Sequence, residues 1–416
     1  MKLPIIRLLR HWQHWARFAV RGAAFAAIIA AASNADAEAI SDSALQQISA
    51  LRAEKDSRTP AQEKMDSQLV YALKQSLNQV IAPGVTNLRV FVQRDGKGRV
   101  KVDLHAAVTP DLLAFIQSSG GAVIDSVPQF QSVRAWVPLS LAEALAGRAD
   151  VQFVQGAVPC LTRTGSVDSE GDTTHRAAEA RSFFNVNGAG VKVGVLSDSV
   201  DFLSQAVSTG DLPPNVTVLP GQAGVGAGEG TAMLEIVYDL APGAQLFFAS
   251  GFNGEAQFAQ NILDLRAAGC DIIVDDIGYF DESPFQDSIV ARAVNAVTAG
   301  GALYFSSAGN EGNLRHGTSG TWEGDFVDGG AAGPPVNGKG GNLHSFGTNA
   351  YDNVTGMGNS TVLFWSDPLG ASTNDYDLFI LDSTGATVVS SSTTVQNGSQ
   401  DPFEIVAPPG VGERVV

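Results

Sequence analysis

The sequence predicts an α/β chain built on a doubly wound parallel sheet, with a smaller α+β unit before it and an incomplete all-β sandwich after it. Three observations lead there. Between residues 186 and 320, near-continuous apolar runs such as Val191 to Leu196 alternate with helical stretches, the pattern of strands covered on both faces. Residues 100–154 run strand, helix, strand, strand, helix, strand. Beyond about residue 315 the texture turns to Gly, Asn, Ser and Thr, with short strand-like runs and no helix.

At 416 residues the chain is too long for one ordinary domain, and 44% hydrophobic residues can bury more than one core. A formal charge of −17 argues against nucleic acid or an anionic membrane as partner, because both are held by basic patches. The first residues carry Arg7, Arg10, Arg17 and Arg21, then the apolar run Ala23 to Ala32, then Ala35-Asp36-Ala37. A charged start, a short apolar stretch and a small-x-small site read as a secretory signal, residues 1–37, cleaved after Ala37. The competing reading is a buried amphipathic helix. Export implies a secreted or periplasmic protein, and no other segment has the length of a membrane span. Cys160 and Cys270 are the only cysteines, so disulfides do not build the fold; whether these two form a pair stays open.

Residues 38 to about 80 place Leu45, Ile48 and Leu51, then Leu69, Tyr71, Leu73 and Leu77, at helical spacing, predicting one or two helices with an exposed polar face. Val100 to His105 alternates like a strand. Thr109-Pro110 opens a helix as N-cap and first helical residue, and Gly120-Gly121 ends it. Strands at 122–126, 132–137 and 151–154, with a helix over 139–146, complete a split-βαβ, ferredoxin-like order within residues 38–160. Residues 161–185 are polar and read as a linker. In the next unit, 186–320, helices are predicted over 230–240, 255–268 and 285–299, between strands at 191–196, 245–248, 271–274 and 302–305. Right-handed βαβ units follow, with ligand sites at the carboxyl ends of the strands. Residues 321–416 hold strand-like runs at 361–367, 375–382 and 386–390, and Arg414 to Val416 reads as the start of another strand in a sequence that stops short.

Three segments at predicted strand ends carry chemistry: Val195-Leu196-Ser197-Asp198-Ser199; Gly228-Glu229-Gly230-Thr231-Ala232-Met233 with Ala241-Pro242 downstream; and Ser306-Ser307-Ala308-Gly309-Asn310-Glu311-Gly312. They resemble, in that order, the subtilisin-family strand ending in Asp-Ser-Gly or Asp-Thr-Gly, the His-Gly-Thr segment with its later Ala-Pro, and the Ala-Ala-Gly-Asn run. Glu229 stands where subtilisins have their histidine base. Sedolisins, which share that fold, have a glutamate there. The resemblance covers roughly residues 100–312 and, loosely, the sandwich.

The resemblance implies a subtilisin- or sedolisin-like serine-type endopeptidase acting on protein or peptide substrates, with residues 38–160 as a propeptide bound in cis. It implies Glu229 as general base, Asp198 as its supporting carboxylate, and Asn310 as donor to the oxyanion. Asp276 and Gly278 fall where subtilisins line the substrate cleft with Ser-Leu-Gly, whose backbone bonds extended peptide. Three departures stand beside this. Counted without a gap, the family aspartate falls on Ser197, and a one-residue slip on a strand reverses a side chain unless a bulge or longer strand corrects it. Met233 stands where sedolisins support their glutamate, leaving Asp198, or else Asp275 or Asp276, for that task. Gly317-Thr318-Ser319 reads as a loop, so the nucleophilic serine is expected beyond Val416. Without a nucleophile, the alternative is an inactive pseudopeptidase that binds peptide or a surface ligand. An arbitrary glutamate at a helix start simply favours the helix dipole. No cofactor or metal is evident; calcium at Asn374, Asp375 and Asp377 competes with ordinary solvated turns.

Overall fold

The computed structural model describes residues 40–86, 88–158, 160–161, 170–310 and 312–416, without the side chains of residues 160 and 161. The signal-peptide expectation, residues 1–37, lies outside them. Among the described residues no helix is long and apolar enough to cross a membrane.

Two helices open the described chain, α1 (Asp42–Lys55) and α2 (Ser67–Ser76), each capped by a side chain, Ser41 and Asp66, that accepts from a backbone N–H of the first turn. The α+β unit follows as β1 (Val100–Ala106), α3 (Pro110–Ser118), β2 (Ala122–Val127), β3 (Ser132–Val137), α4 (Ala142–Ala146) and β4 (Val151–Gly156). Its antiparallel sheet has the order β2-β3-β1-β4. Alternation puts Val100, Val102, Leu104, Val133, Ala135 and Val137 in one core with Leu112, Ile116 and Leu145 of the two helices. The opposite face carries Asp103 and Arg134. Thr109 caps α3 by accepting from Leu112 N at 3.1 Å, with Pro110 at the first helical position. The helix over 139–146 is shorter than expected, because 139–141 form a 3-10 turn.

The short strand β5 (Cys160–Leu161) and the helices α5 (Gly171–Thr174) and α6 (Ala177–Phe184) occupy the segment read as linker. The reason is a polar anchor that a hydrophobic pattern does not reveal. Arg181 binds Asp172 at 2.5 Å and the carbonyls of Asp239 and Leu240 at 3.2 and 2.9 Å, capping a distant helix C-terminus.

The α/β unit contains β6 (Lys192–Ser197), α7 (Leu203–Thr209), β7 (Thr217–Val218), α8 (Glu229–Leu240), β8 (Gln245–Ser250), α9 (Glu255–Ala267), β9 (Ile272–Asp275), β10 (Gly278–Tyr279), α10 (Ile289–Ala299) and β11 (Leu303–Ser306). Its five-stranded sheet is parallel, in the order β11-β9-β6-β8-β7. Both faces are covered. Val193, Val195, Leu246 and Phe248 meet Leu234 of α8, while Leu196, Phe247, Ala249 and Ile273 meet Phe258, Ile262 and Leu265 of α9 and Ala293 of α10. Gly194 lets β6 come close to α9, since a Cβ there would meet Leu265 Cδ1 at 3.0 Å and Cys270 Sγ at 3.2 Å. Cys270 is a buried free thiol. The helix expected from residue 285 begins at 289, because Ser288 is extended (ψ −170°) and the Gln286 amide is drawn to Asp367 O at 2.5 Å. α7 and β7 were not legible as apolar runs.

The last unit is antiparallel: β12 (Asp328–Ala331) with β13 (Asn342–His344); a sheet of β14 (Asp352–Asn353), β16 (Leu378–Leu381), β17 (Val388–Ser392) and β19 (Arg414–Val415) in the order β14-β19-β16-β17; and β15 (Thr361–Phe364) with β18 (Phe403–Val406). Leu363 and Val406 pack on Leu378 and Ile380 between the two layers. Arg414 and Val415 pair with both β14 and β16, inside a sheet. The N-terminal helices belong to this region. Ala44, Ile48 and Leu51 of α1 and Tyr71 of α2 share a core with Leu343, Phe379, Leu381 and Val388, so the face expected to be exposed is half covered.

Candidate active site

Five residues singled out from the sequence gather at one end of the parallel sheet. Asp198 is the first residue after β6, Asp276 and Gly278 follow β9, Asn310 lies in the loop after β11, and Glu229 opens α8. Carboxyl ends of parallel strands are where open α/β sheets form their crevice.

Asp198 escapes the alternation of β6 because the strand ends at Ser197. The Ser197 hydroxyl is buried without a hydrogen-bond partner, whereas Asp198, 1% exposed, turns to the start of α8. Its Oδ1 accepts from Gly230 N at 3.3 Å and from its neighbour Ser199 N at 2.5 Å, and its Oδ2 accepts from Ala227 N. Helix starts leave N–H groups without intrahelical partners, and here a carboxylate from a neighbouring strand end satisfies them. The same turn is tied down by Gly228 N to Ser199 Oγ at 3.1 Å, Thr231 Oγ1 to Asp201 O at 2.6 Å, and Ser250 Oγ to Asp198 O at 2.8 Å. Two glycines make the approach feasible. Gly228 has φ +79°, and a Cβ on Gly230 would run into the Phe248 ring and into Ser199 O at 2.5 Å. Glu229 is therefore buried, at 7% exposure, one residue from the amide that Asp198 holds.

On the other side of β6 the parallel register sets Ser306 opposite Asp275. Ser306 Oγ donates to Asp275 Oδ1 at 2.9 Å and Ser307 Oγ to Asp276 Oδ1 at 2.5 Å, while Ile277 N also donates to Asp275 at 3.2 Å. Burial raises the Asp275 carboxyl above its ordinary value, and the hydrogen bonds from Ile277 and Ser306 oppose that. These two aspartates fasten the β11 loop to β9. Asp198 is the carboxylate that meets the α8 terminus. Asn310 is exposed at the end of that loop, after Gly309 at φ +84°. Gly278 is half of β10, which pairs antiparallel with β5: Gly278 opposite Leu161, and Tyr279 opposite Cys160. A segment that leaves the α+β unit thus lies as an extended strand along the residues singled out as a peptide-binding edge.

Sequence reasoning missed Ser199, Ser250, Ser306 and Ser307, which orient these loops. Their signal is a hydroxyl or carboxyl residue just past successive strand ends. Two of the three residues considered for calcium are engaged otherwise: Lys55 Nζ binds Asp375 at 2.6 Å and Asp377 at 2.7 Å. Among the described residues no group of three or more His, Cys, Asp or Glu side chains is arranged to hold a metal.

What these elements define is a mixed α/β chain with an acidic cluster at the carboxyl end of its parallel sheet. No family model and no curated protein matches the chain. Among solved structures it is similar to fervidolysin from Fervidobacterium pennivorans, a keratinolytic enzyme related to subtilisin, at 14% identity and TM-score 0.35, covering 54% of this chain and 42% of that one. It is also similar to the epidermin leader peptide processing serine protease of Staphylococcus aureus, at 14% identity: TM-score 0.37 over 52% of this chain and 62% of a serine-to-alanine variant, and TM-score 0.34 over 52% and 61% for the unsubstituted protein. The chain thus spans less than two thirds of each. A likeness this distant leaves the site to be read from its own geometry.

Proposed function

We propose that the chain is the precursor of an exported serine-type endopeptidase of the subtilisin and sedolisin kind, in which Glu229 is the general base. The observation that carries this is the junction of Asp198 with the first turn of α8, which buries Glu229 at the carboxyl end of the sheet. In this reading a serine hydroxyl, supplied from outside residues 1–416, attacks the peptide carbonyl carbon while the Glu229 carboxylate takes its proton. The Asn310 amide donates to the oxyanion that forms. The protonated Glu229 then gives the proton to the leaving amine, and water repeats the sequence on the acyl-enzyme. Residues 38–160 cover the site in cis, with β5 lying on β10 as an extended peptide would.

A glutamate remains a base in acid where histidine is protonated, so the expected pH optimum is acidic. The test is casein cleavage against pH by protein expressed from the complete gene. Glu229→Gln is expected to lower kcat/KM by about 10²- to 10⁴-fold. Undiminished activity in that variant would defeat the assignment. The pairing of β10 with β5 equally favours a second reading, a pseudopeptidase that binds extended peptide without cutting it. A complete gene product that binds peptide at this edge and never hydrolyses it would select that one.

A further inference from the structure

We propose that the α+β unit is docked on the α/β unit through a seam of crowded carboxylates that holds in acid and loosens as pH rises toward neutrality. Its loosening near neutrality is a property of the described chain; that it uncovers a peptide-binding edge, as a step that precedes cleavage at an acidic optimum, rests on the function proposed above.

The seam lies between the outer face of the β2-β3-β1-β4 sheet and the start of α9, with the loop after β10. From the sheet come Asp103 of β1, Asp125 of β2, Arg134 of β3 and Gln155 of β4. From the α/β side come Glu255 and Gln257 of α9, Tyr279 of β10, and Asp281 and Glu282 of the following loop, with Asp275 and Tyr304 behind Glu282. Arg134 is a cation that faces these carboxylates, and both its Nε and Nη2 are committed to Asp103 at 2.6 Å. Lys101, on the same sheet face, lies over the Trp136 ring at 5.0 Å.

The remaining acids have thin support. The Asp281 carboxyl accepts from the Gln155 amide at 3.2 Å, and its Oδ1 is buried with no hydrogen-bond partner. Glu255 accepts from Ser288 Oγ at 3.3 Å. Asp125 takes the Gln257 amide, turned with its nitrogen toward it, at 2.5 and 3.3 Å. The approach is close enough that Gly254, at φ +109°, tolerates no side chain, since a Cβ there would meet the Arg134 guanidinium at 2.7 Å. Apart from Phe130, which packs on the core beneath α9, polar side chains dominate the contact.

Buried carboxylates with so few donors favour their neutral forms. Burial, reinforced by Asp103 across the seam, pushes Asp281 up to about 6. Burial raises Glu255 well above the usual range, with Asp281, Glu282 and Asp103 adding to it. Burial, with Asp275 and Asp281, takes Glu282 up to about 7. The sign follows from linkage. A carboxyl whose value is higher docked than free takes up protons on docking, so docking is strongest below the free value near 4 and weakens until the docked value is passed. For Asp281 and Glu282 the window therefore runs from about pH 4 to about pH 7, and Glu255 acts in the same direction.

Amide hydrogen exchange on the full chain, corrected for intrinsic pH effects, tests this without requiring catalysis. Protection in residues 254–258 and in β2 is expected to fall at least about tenfold between pH 5 and pH 8, while residues 193–196 of the sheet core stay unchanged. In Glu255→Gln/Asp281→Asn, where two of the crowded carboxyls no longer ionise and Glu282 and Asp125 still do, the fall is expected to shrink several-fold. Flat protection in the unsubstituted chain, or an unaltered fall in the double variant, overturns the proposal. Should the double variant not fold, Glu255→Gln alone is expected to reduce the fall, and an identical fall overturns it equally. Because no substrate is involved, the outcome is separate from whether the protein is a peptidase.

Discussion

The N-terminal part of the chain meets the rest at two seams that differ in how charge and apolar surface are combined. At the sandwich seam, Ala44, Ile48, Leu51 and Tyr71 enter a continuous apolar core with Leu343, Phe379, Leu381 and Val388. Cations stand among the acids there: Lys55 binds Asp375 and Asp377, and Arg58 and Lys74 both bind Glu54. At the α/β seam, Arg134 faces five carboxylates and Phe130 is the main apolar contact. Burial alone therefore does not set the strength of an interface. The first seam joins, and the second can be opened.

The sandwich seam is not free of strain. Glu404, buried, is pushed up to about 8 by desolvation, with Lys55 and the hydrogen bonds from Gln396 and Ser392 opposing. By the same sign its contribution is greatest in acid and declines until about pH 8. Its apolar core does not titrate, so this seam weakens without parting.

The largest expected effect falls on that apolar core. Leu51 is fully buried, and Leu51→Ala removes packed methyl groups and leaves a cavity, costing about 2 to 5 kcal/mol. A fall in the urea midpoint followed by circular dichroism is the readout; an unchanged midpoint would erase the distinction between the seams. Next in size is Lys55→Met. Lys55 is 7% exposed at its side chain, and its loss leaves Asp375 and Asp377 facing each other, with Glu404 close by, without their cation. The cost is about 3 kcal/mol, the lower end for a broken buried pair because Asp375 reaches solvent. The loss should shrink in acid, because burial favours the protonated form of Asp375, and urea titrations at pH 4 and pH 7 would reveal a pH-independent loss if the account is mistaken.

The doubly wound sheet was legible because β-branched runs such as Val191 to Leu196 have no other stable home than between two helical layers. The places of Asp198 and Glu229 were legible for a related reason: the apolar run of β6 ends at Ser197, and the helical pattern of α8 begins at Glu229. What pattern did not carry was contact between polar residues distant in the chain. Asp103, Glu255 and Asp281 look like solvated charges along their own segments, and only the docking of β1 and β3 over α9 sets them together. Arg181 is the same case. Its segment reads as linker until its guanidinium reaches the last carbonyls of α8. Hydrophobic period reports which face is buried, and it is silent about which charges share that burial.

The smallest predicted effect separates the seams most sharply. Phe130 is half-buried at the tip between β2 and β3, where it packs against the cluster containing Phe258 and Ile262. Phe130→Ala is expected to cost about 1 kcal/mol, near the centre of ordinary substitutions and too little to move the global midpoint far. If the α/β seam opens on its own, that cost appears locally, as a several-fold faster amide exchange over residues 254–258 at pH 5, where the carboxylates still hold. The α1 amides at the sandwich seam should not respond. Equal acceleration at both places would mean that the two seams open together, and the N-terminal part would then leave the chain as one body rather than swing from its attachment to the sandwich.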